Sequence, residues 1–66
     1  MNSDKLKGKL REKRINYISC ARRLGTSVTT LNNKINGHSK FYIEEIEKLS
    51  VILELTTQEK IDIFLS

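Results

Sequence analysis

Two closely spaced helix stops constrain this chain more than any other feature. Gly25 is followed two residues later by Ser27, and the next break is Asn36-Gly37. Glycine takes the left-handed conformation past a helix C-terminus without steric cost, and Asn-Gly serves the same end. Serine and asparagine hold the opposite role, accepting from the free N–H groups of a first turn. Asn16 is therefore expected to open a helix over Tyr17–Leu24 that Gly25 ends. Ser27 then caps a second helix, Val28 to about Asn36. Ile15, just before Asn16, is placed as a hydrophobic staple for the first of them. The chain must accommodate two short helices joined by a turn of about three residues.

The flanks read as helix too. Ser3 or Asp4 can cap a first helix running to about Lys13, with Leu6 and Leu10 at i and i+4. Gly8 lies inside it at a cost of about 1 kcal/mol relative to alanine, which a close backbone contact with a neighbouring helix would explain. After the polar segment His38–Phe41, the residues Ile43, Ile46, Leu49, Ile52 and Leu53 form an apolar stripe at helical spacing, predicting a helix over Ile43–Leu55. Glu44, Glu45 and Glu47 suit the positive end of its dipole. Thr56 with Glu59 is a capping box for a last helix, about Thr57–Leu65. No strand-like alternation interrupts this series. The expected fold is all-α: five helices in a single domain spanning residues 1–66.

Size limits what such a domain can hold. A chain of 66 residues buries only about 60% of its unfolded surface, and an active-site cleft would compete with the core. Cys20 is the only cysteine, so no internal disulfide is possible. No His/Cys cluster has metal spacing. A buried, inert thiol is expected there. His38, the only histidine, has no nucleophile or carboxylate beside it and suggests no catalytic site. An enzyme, a cofactor, a metal and a small-molecule ligand are all expected to be absent. Met1–Asn16 is rich in Lys and Arg without the apolar stretch of a signal peptide, and no apolar run approaches the roughly 20 residues that cross a bilayer. A soluble, cytoplasmic protein is expected.

Charge is divided unevenly. Residues 1–40 carry ten Lys and Arg against Asp4 and Glu12, a balance of +8; residues 41–66 carry two lysines against six acids, a balance of −4. A basic half suggests a polyanion partner, and an acidic half an end that faces elsewhere, towards a second copy. A membrane surface suits this chain poorly, because the basic first helix offers only Leu6 and Leu10 for insertion.

The segment Val28–Asn36 supplies the sharper signal. At about 100° per residue, Thr29, Asn32, Asn33 and Asn36 share one face, and Leu31 lies opposite. Thr29, Thr30, Asn32 and Asn33 are mediocre helix formers, so helix stability does not explain four of them together. A helix lying in the major groove needs this division, with short polar groups towards base edges and apolar groups towards the core. Asparagine pairs with adenine in bidentate fashion, and the methyl groups of Val28 and Thr29 can meet thymine.

With the glycine turn, this stretch, NYISCARRLGTSVTTLNNKING, resembles the lambda-repressor-like helix-turn-helix group, which includes bacteriophage Cro and repressor domains. Ala21 matches its small residue where the two helices cross, and Gly25 its turn. Leu24 and Leu31 match two buried apolar sites, and Asn36-Gly37 its closing pair. The resemblance covers nearly the whole chain. It implies a five-helix domain that binds double-stranded operator DNA, a Cro-like transcriptional repressor encoded by a phage or mobile element. It implies base contacts from Val28, Thr29 and Asn33, with Asn32 as a fourth. It also implies a phosphate contact at Tyr17, a position the group usually fills with glutamine; an aromatic half-buried against the first helix is the other reading.

Asn16, Tyr17 and Ser27 lie at helix N-termini, which favour anions, and Asn36, His38, Ser39 and Lys40 follow the reading helix. All seven are candidate phosphate contacts. Arg22, Arg23 and some of the Lys5–Arg14 cluster are expected to face the same polyanion. Two positions depart from the group. Thr26 stands where an aliphatic is usual, and Lys34 stands at a buried apolar site. Lys34 either lays its methylenes on the core and extends its ammonium outward, or the helix is turned so that Ile35 is buried and the reading face shifts towards Asn32.

The C-terminal segment carries more apolar residues than one core needs. Ile61, Phe64 and Leu65 are spaced i, i+3 and i+4, and Ile63 lies off that face. An exposed apolar patch marks a partner site, and these four residues are the expected interface of a homodimer through the last helix. An antirepressor or assembly factor of the same fold, acting on a protein instead of DNA, is the rival class.

Overall fold

The computed structural model describes residues 1–65. Five helices follow one another: α1 Ser3–Glu12, α2 Tyr17–Leu24, α3 Val28–Ile35, α4 Ile43–Ile52 and α5 Thr57–Phe64. No strand occurs among the described residues, and none of these helices is long and apolar enough to cross a membrane.

The helix starts follow local chemistry. Asn16 Oδ1 accepts from the Ser19 N–H at 2.8 Å, Ser27 Oγ from the Thr30 N–H at 3.1 Å, and Thr56 Oγ1 from the Glu59 N–H at 3.1 Å. Glu59 completes the capping box by accepting from the Thr56 N–H at 2.9 Å. The first cap differs from expectation. Asn2, not Ser3 or Asp4, caps α1, its Oδ1 accepting from the Lys5 N–H at 3.1 Å. The backbone N–H of Asn2 also donates to the Ile63 carbonyl at 2.7 Å. One residue thus caps α1 and ties it to the end of α5.

The first four helices end alike, with a residue at positive φ and a backbone hydrogen bond spanning five residues. Thr26 N–H donates to Ala21 and His38 N–H to Asn33, around Gly25 (φ 77°) and Gly37 (φ 83°). The same closure occurs around Arg14 (φ 56°) and Glu54 (φ 52°), where Ile15 N–H donates to Leu10 and Leu55 N–H to Ser50. Non-glycine residues accept this conformation at a cost of about 1–2 kcal/mol. The left-handed turn at Glu54 ends α4 at Ile52 and not at the expected Leu55. Gly8 needs no glycine: a methyl group added there would meet nothing within 4 Å, so no tight helix approach explains it.

One core joins all five helices. Leu6 and Leu10 of α1, Cys20, Ala21 and Leu24 of α2, Leu31 and Ile35 of α3, Leu49 of α4, Leu53 at its end and Ile63 of α5 are buried together. Helix α2 packs on α3 and α4, and α1 packs on α3 and α5. Ala21 is buried in this core. Phe41 meets Phe64 edge to face, with centroids 5.8 Å apart, so the segment before α4 is seated against α5. Ile43, expected to begin the buried stripe of α4, is instead 75% exposed.

Charged side chains then bind α1 to the acidic C-terminal third. Lys5 and Lys9 lie on one flank of the Leu6–Leu10 line. Lys5 Nζ reaches Asp62 at 3.0 Å, Lys9 pairs with Glu59, and Lys13 Nζ lies 3.5 Å from Glu54. The hydrogen bond from Lys9, with one from the Thr56 N–H, holds the Glu59 carboxyl down at about 2. Asp62 is lowered by the hydrogen bonds from Lys5 and Gln58, and Lys9 is raised chiefly by Glu59. The two oppositely charged parts of the chain therefore face one another. Glu54, Glu59 and Asp62 of the acidic half are thereby engaged within the molecule.

Candidate functional site

Helix α3 sorts its residues more cleanly than any other element. Leu31, Lys34 and Ile35 are buried; Val28, Thr29, Asn32, Asn33 and Asn36 are exposed. The exposed set spans less than half the circumference and carries no charge. Asn36 Nδ2 donates to the Asn32 carbonyl oxygen at 2.9 Å and to Asn32 Oδ1 at 3.1 Å. Asn32 Oδ1 keeps a second lone pair, and its own amide hydrogens remain to donate. Asn33 has no side-chain partner among the described residues, so its carbonyl and amide groups both stay available. The first turn of α3 contains no acid, which leaves its positive dipole end uncompensated.

The other candidate contacts lie around this face in sequence, in different states. Asn16 and Ser27 use their side-chain oxygens as caps; Ser27 also donates to Thr30 Oγ1 at 2.9 Å. Tyr17 is half-buried against the core. His38, Ser39 and Lys40 are exposed in the segment that follows Gly37. Arg22 and Arg23 are exposed on α2, and with Lys7, Arg11, Arg14, Lys40 and Lys48 they form no ion pair among the described residues. The basic cluster of α1 is thereby divided: Lys5, Lys9 and Lys13 are engaged within the molecule, and Lys7, Arg11 and Arg14 are not.

Lys34 is buried with its ammonium turned to Glu45, not extended outward as its sequence suggested. It is only 6% exposed, and Ile35 beside it is buried too. Its Nζ lies 2.7 and 2.8 Å from the two oxygens of Glu45 and 4.3 Å from the centre of the Tyr42 ring. Glu45 Oε1 also accepts from the Tyr42 N–H at 2.8 Å. Burial pushes the Glu45 carboxyl up, but the hydrogen bonds from Lys34 and Tyr42 and the nearby charge outweigh it, leaving the group below its ordinary range. Tyr42, and the role of Glu45 as the partner of Lys34, had no place in the sequence expectation. The only available signal was Glu45 in the first turn of α4, which its own helix accounts for.

The proposed partner residues of α5 separate. Ile61 is 41% exposed and Leu65 76% exposed, whereas Phe64 is half-buried against Phe41. Ile63 is 0% exposed and belongs to the monomer core. It is withdrawn as an interface residue, because the turn of α5 that presents Ile61 and Leu65 directs Ile63 inward. Ile43 lies across a seam of about 310 Å³ from Ile61 and Leu65 and had not been expected there. Cys20 is fully buried, and burial pushes its thiol up against the weaker opposing effect of Arg23. A protonated, enclosed thiol is a poor nucleophile. The described residues contain no cluster of His, Cys, Asp and Glu able to hold a metal ion.

Comparisons with protein families, with characterised proteins and with solved structures found no match to this chain. The molecule's own geometry is therefore the basis for assigning its function.

Proposed function

We propose that this chain is a sequence-specific regulator that binds double-stranded DNA, of the lambda-repressor-like helix-turn-helix type, with α3 reading the major groove. One observation carries the reading. The exposed face of α3 consists of Val28, Thr29, Asn32, Asn33 and Asn36, short and uncharged, on a helix whose opposite face is buried. Such a surface gains little for helix stability, and its groups match the donors, acceptors and methyls of base edges. Asn33 and Thr29 contact bases most directly, Val28 meets a thymine methyl, and Asn32 reads a neighbouring pair.

Phosphates supply most of the affinity and fix the register. Helix N-termini at Asn16, Tyr17 and Ser27, the segment Asn36–Lys40, and the unpaired Arg22 and Arg23 serve that role. The output is repression by occupancy of operator DNA, as in Cro-type repressors of phages and mobile elements. Two copies joined across the seam of Ile43, Ile61, Phe64 and Leu65 would read half-sites about 34 Å apart.

Selection of bound duplexes from a random pool tests the proposal. One site with two-fold symmetry is expected, bound with an affinity that falls with log[salt] at a slope near −0.9 per phosphate neutralised. Enrichment of no sequence, together with co-purification of a protein partner, would replace DNA reading by an antirepressor role. Sedimentation equilibrium at micromolar concentration tests the dimer; a strictly monomeric wild type removes it.

A further inference from the structure

We propose that the Lys34–Glu45 pair, its lysine buried and its carboxylate partly so, is a positioning device for α3: it touches no base, and it sets the angle at which α3 presents Asn32 and Asn33. The proposal rests on the DNA-reading assignment above. Leu31 and Ile35, at i and i+4, lie on a single line along α3, and both are buried. Apolar contact is non-directional, so one such line restrains rotation about itself less than a directed contact does. Lys34 lies off that line. Its ammonium is held by both oxygens of Glu45, at 2.7 and 2.8 Å, on a neighbouring helix.

Glu45 is itself fixed. Its Oε1 accepts from the Tyr42 N–H at 2.8 Å, and the Tyr42 ring covers the Lys34 ammonium. One carboxylate thus joins the last turn of α3 to the first turn of α4 and closes the segment between them, which contains Asn36, His38, Ser39 and Lys40.

The size of the effect follows from helix dimensions. A roll of about 20° about the Leu31–Ile35 line moves a side chain on the far face, about 10–12 Å away, by about 4 Å. Hydrogen bonds tolerate a donor–acceptor range of only about 0.5 Å. Base contacts are therefore lost under a roll that leaves the core packed. Stability alone does not account for the pair, since replacing a buried ion pair by apolar groups of similar volume is often neutral or favourable. What an apolar pair lacks is direction.

The test is the double variant Lys34→Met with Glu45→Gln. Methionine fills the volume of the lysine stem, and glutamine keeps the acceptor for the Tyr42 N–H. Thermal melting, residual dipolar couplings of α3 against α4 in the free protein, and binding to selected and to random duplexes are measured together. The expected result is a cooperative melt near that of the wild type and a changed orientation or added mobility of α3. Binding to the selected duplex should fall about 10-fold, with random-duplex binding changed less than about 2-fold.

Unchanged couplings, retained sequence preference, or equal losses on both duplexes would overturn the proposal. So would a double variant that does not fold, which would make the pair a requirement of the fold itself. A wild type that enriches no duplex refutes DNA reading separately. In that case the couplings of α3 still decide whether the pair positions it.

Discussion

Helices α3 and α5 have the same length, eight residues, and begin with the same hydroxyl cap, yet they are built to different ends. Helix α5 completes its capping box with Glu59 and fastens itself to α1 through Asp62 and Glu59 and to α4 through Lys60 and Glu47. Helix α3 has Thr30 where α5 has Glu59. It exposes a neutral row and makes its single ion pair at its buried rear, through Lys34. Where charge, cap and packing all support a helix, its surface is explained by its own stability. Where they do not, as on the outer face of α3, the helix's own stability leaves the surface unexplained. The two helices can be told apart by experiments of decreasing expected effect.

The core beneath both should prove equal. Leu31→Ala in α3 and Ile63→Ala in α5 each remove a fully buried side chain and are each expected to cost about 2–5 kcal/mol in denaturant unfolding. Leu65→Glu should cost less than about 0.5 kcal/mol, as an exposed substitution, while weakening self-association. A large loss of stability in Leu65→Glu would mean that Leu65 belongs to the core with Ile63.

Asparagine 33 separates the surfaces. Asn33→Ala is expected to leave unfolding unchanged and to cost about 1–3 kcal/mol on the selected duplex, with preference relaxed at one base pair. Lys40→Ala should weaken selected and random duplexes to the same extent. Equal effects of both variants on both duplexes would remove α3 as the reader.

Thr30→Glu would give α3 the capping box that α5 already has. A carboxylate in that turn is expected to stabilise the helix by about 0.3–1 kcal/mol, raising the melting temperature slightly. The same charge at a phosphate-facing N-terminus should lower affinity for every duplex. Higher stability with unchanged DNA binding would show that the N-terminus of α3 faces no phosphate.

The smallest effect is the response to acid, because partly exposed ion pairs contribute little. Glu59 sits at about 2 in the folded chain, and Asp62 and Glu45 are also lowered. A lowered carboxyl stabilises the fold above its unfolded value and loses that contribution as pH falls through the folded one. The attachments of α5 are therefore fully present above about pH 4.5 and fade towards about pH 2. Amide exchange should show α5 loosening from α1 across that window, while α3 responds only through Glu45. Loosening of α3 ahead of α5 would contradict the assignment of these pairs. At the alkaline end, Lys9, raised by Glu59, loses its contribution only as pH climbs through its raised value.

What could be read from the order of residues was whatever depends on near neighbours. The caps at Asn16, Ser27 and Thr56, the stops at Gly25 and Gly37 and the neutral row on α3 all follow from residue types and spacings within a turn or so, because helical geometry repeats on that scale. The stop at Glu54 was not legible, and the end of α1 near Lys13 was placed without its left-handed Arg14, since neither residue type favours that conformation. Their hydrogen bonds are local, but the packing that imposes them is not. Folding alone decided the rest. It chose Lys5, Lys9 and Lys13 over Lys7 and Arg11 as the partners of Asp62, Glu59 and Glu54, and it turned Ile63 inward and Ile61 outward. It also brought Glu45 to Lys34. Those outcomes depend on which helix faces lie together in space, and residues far apart in the chain meet only once the shared core has set the helix directions.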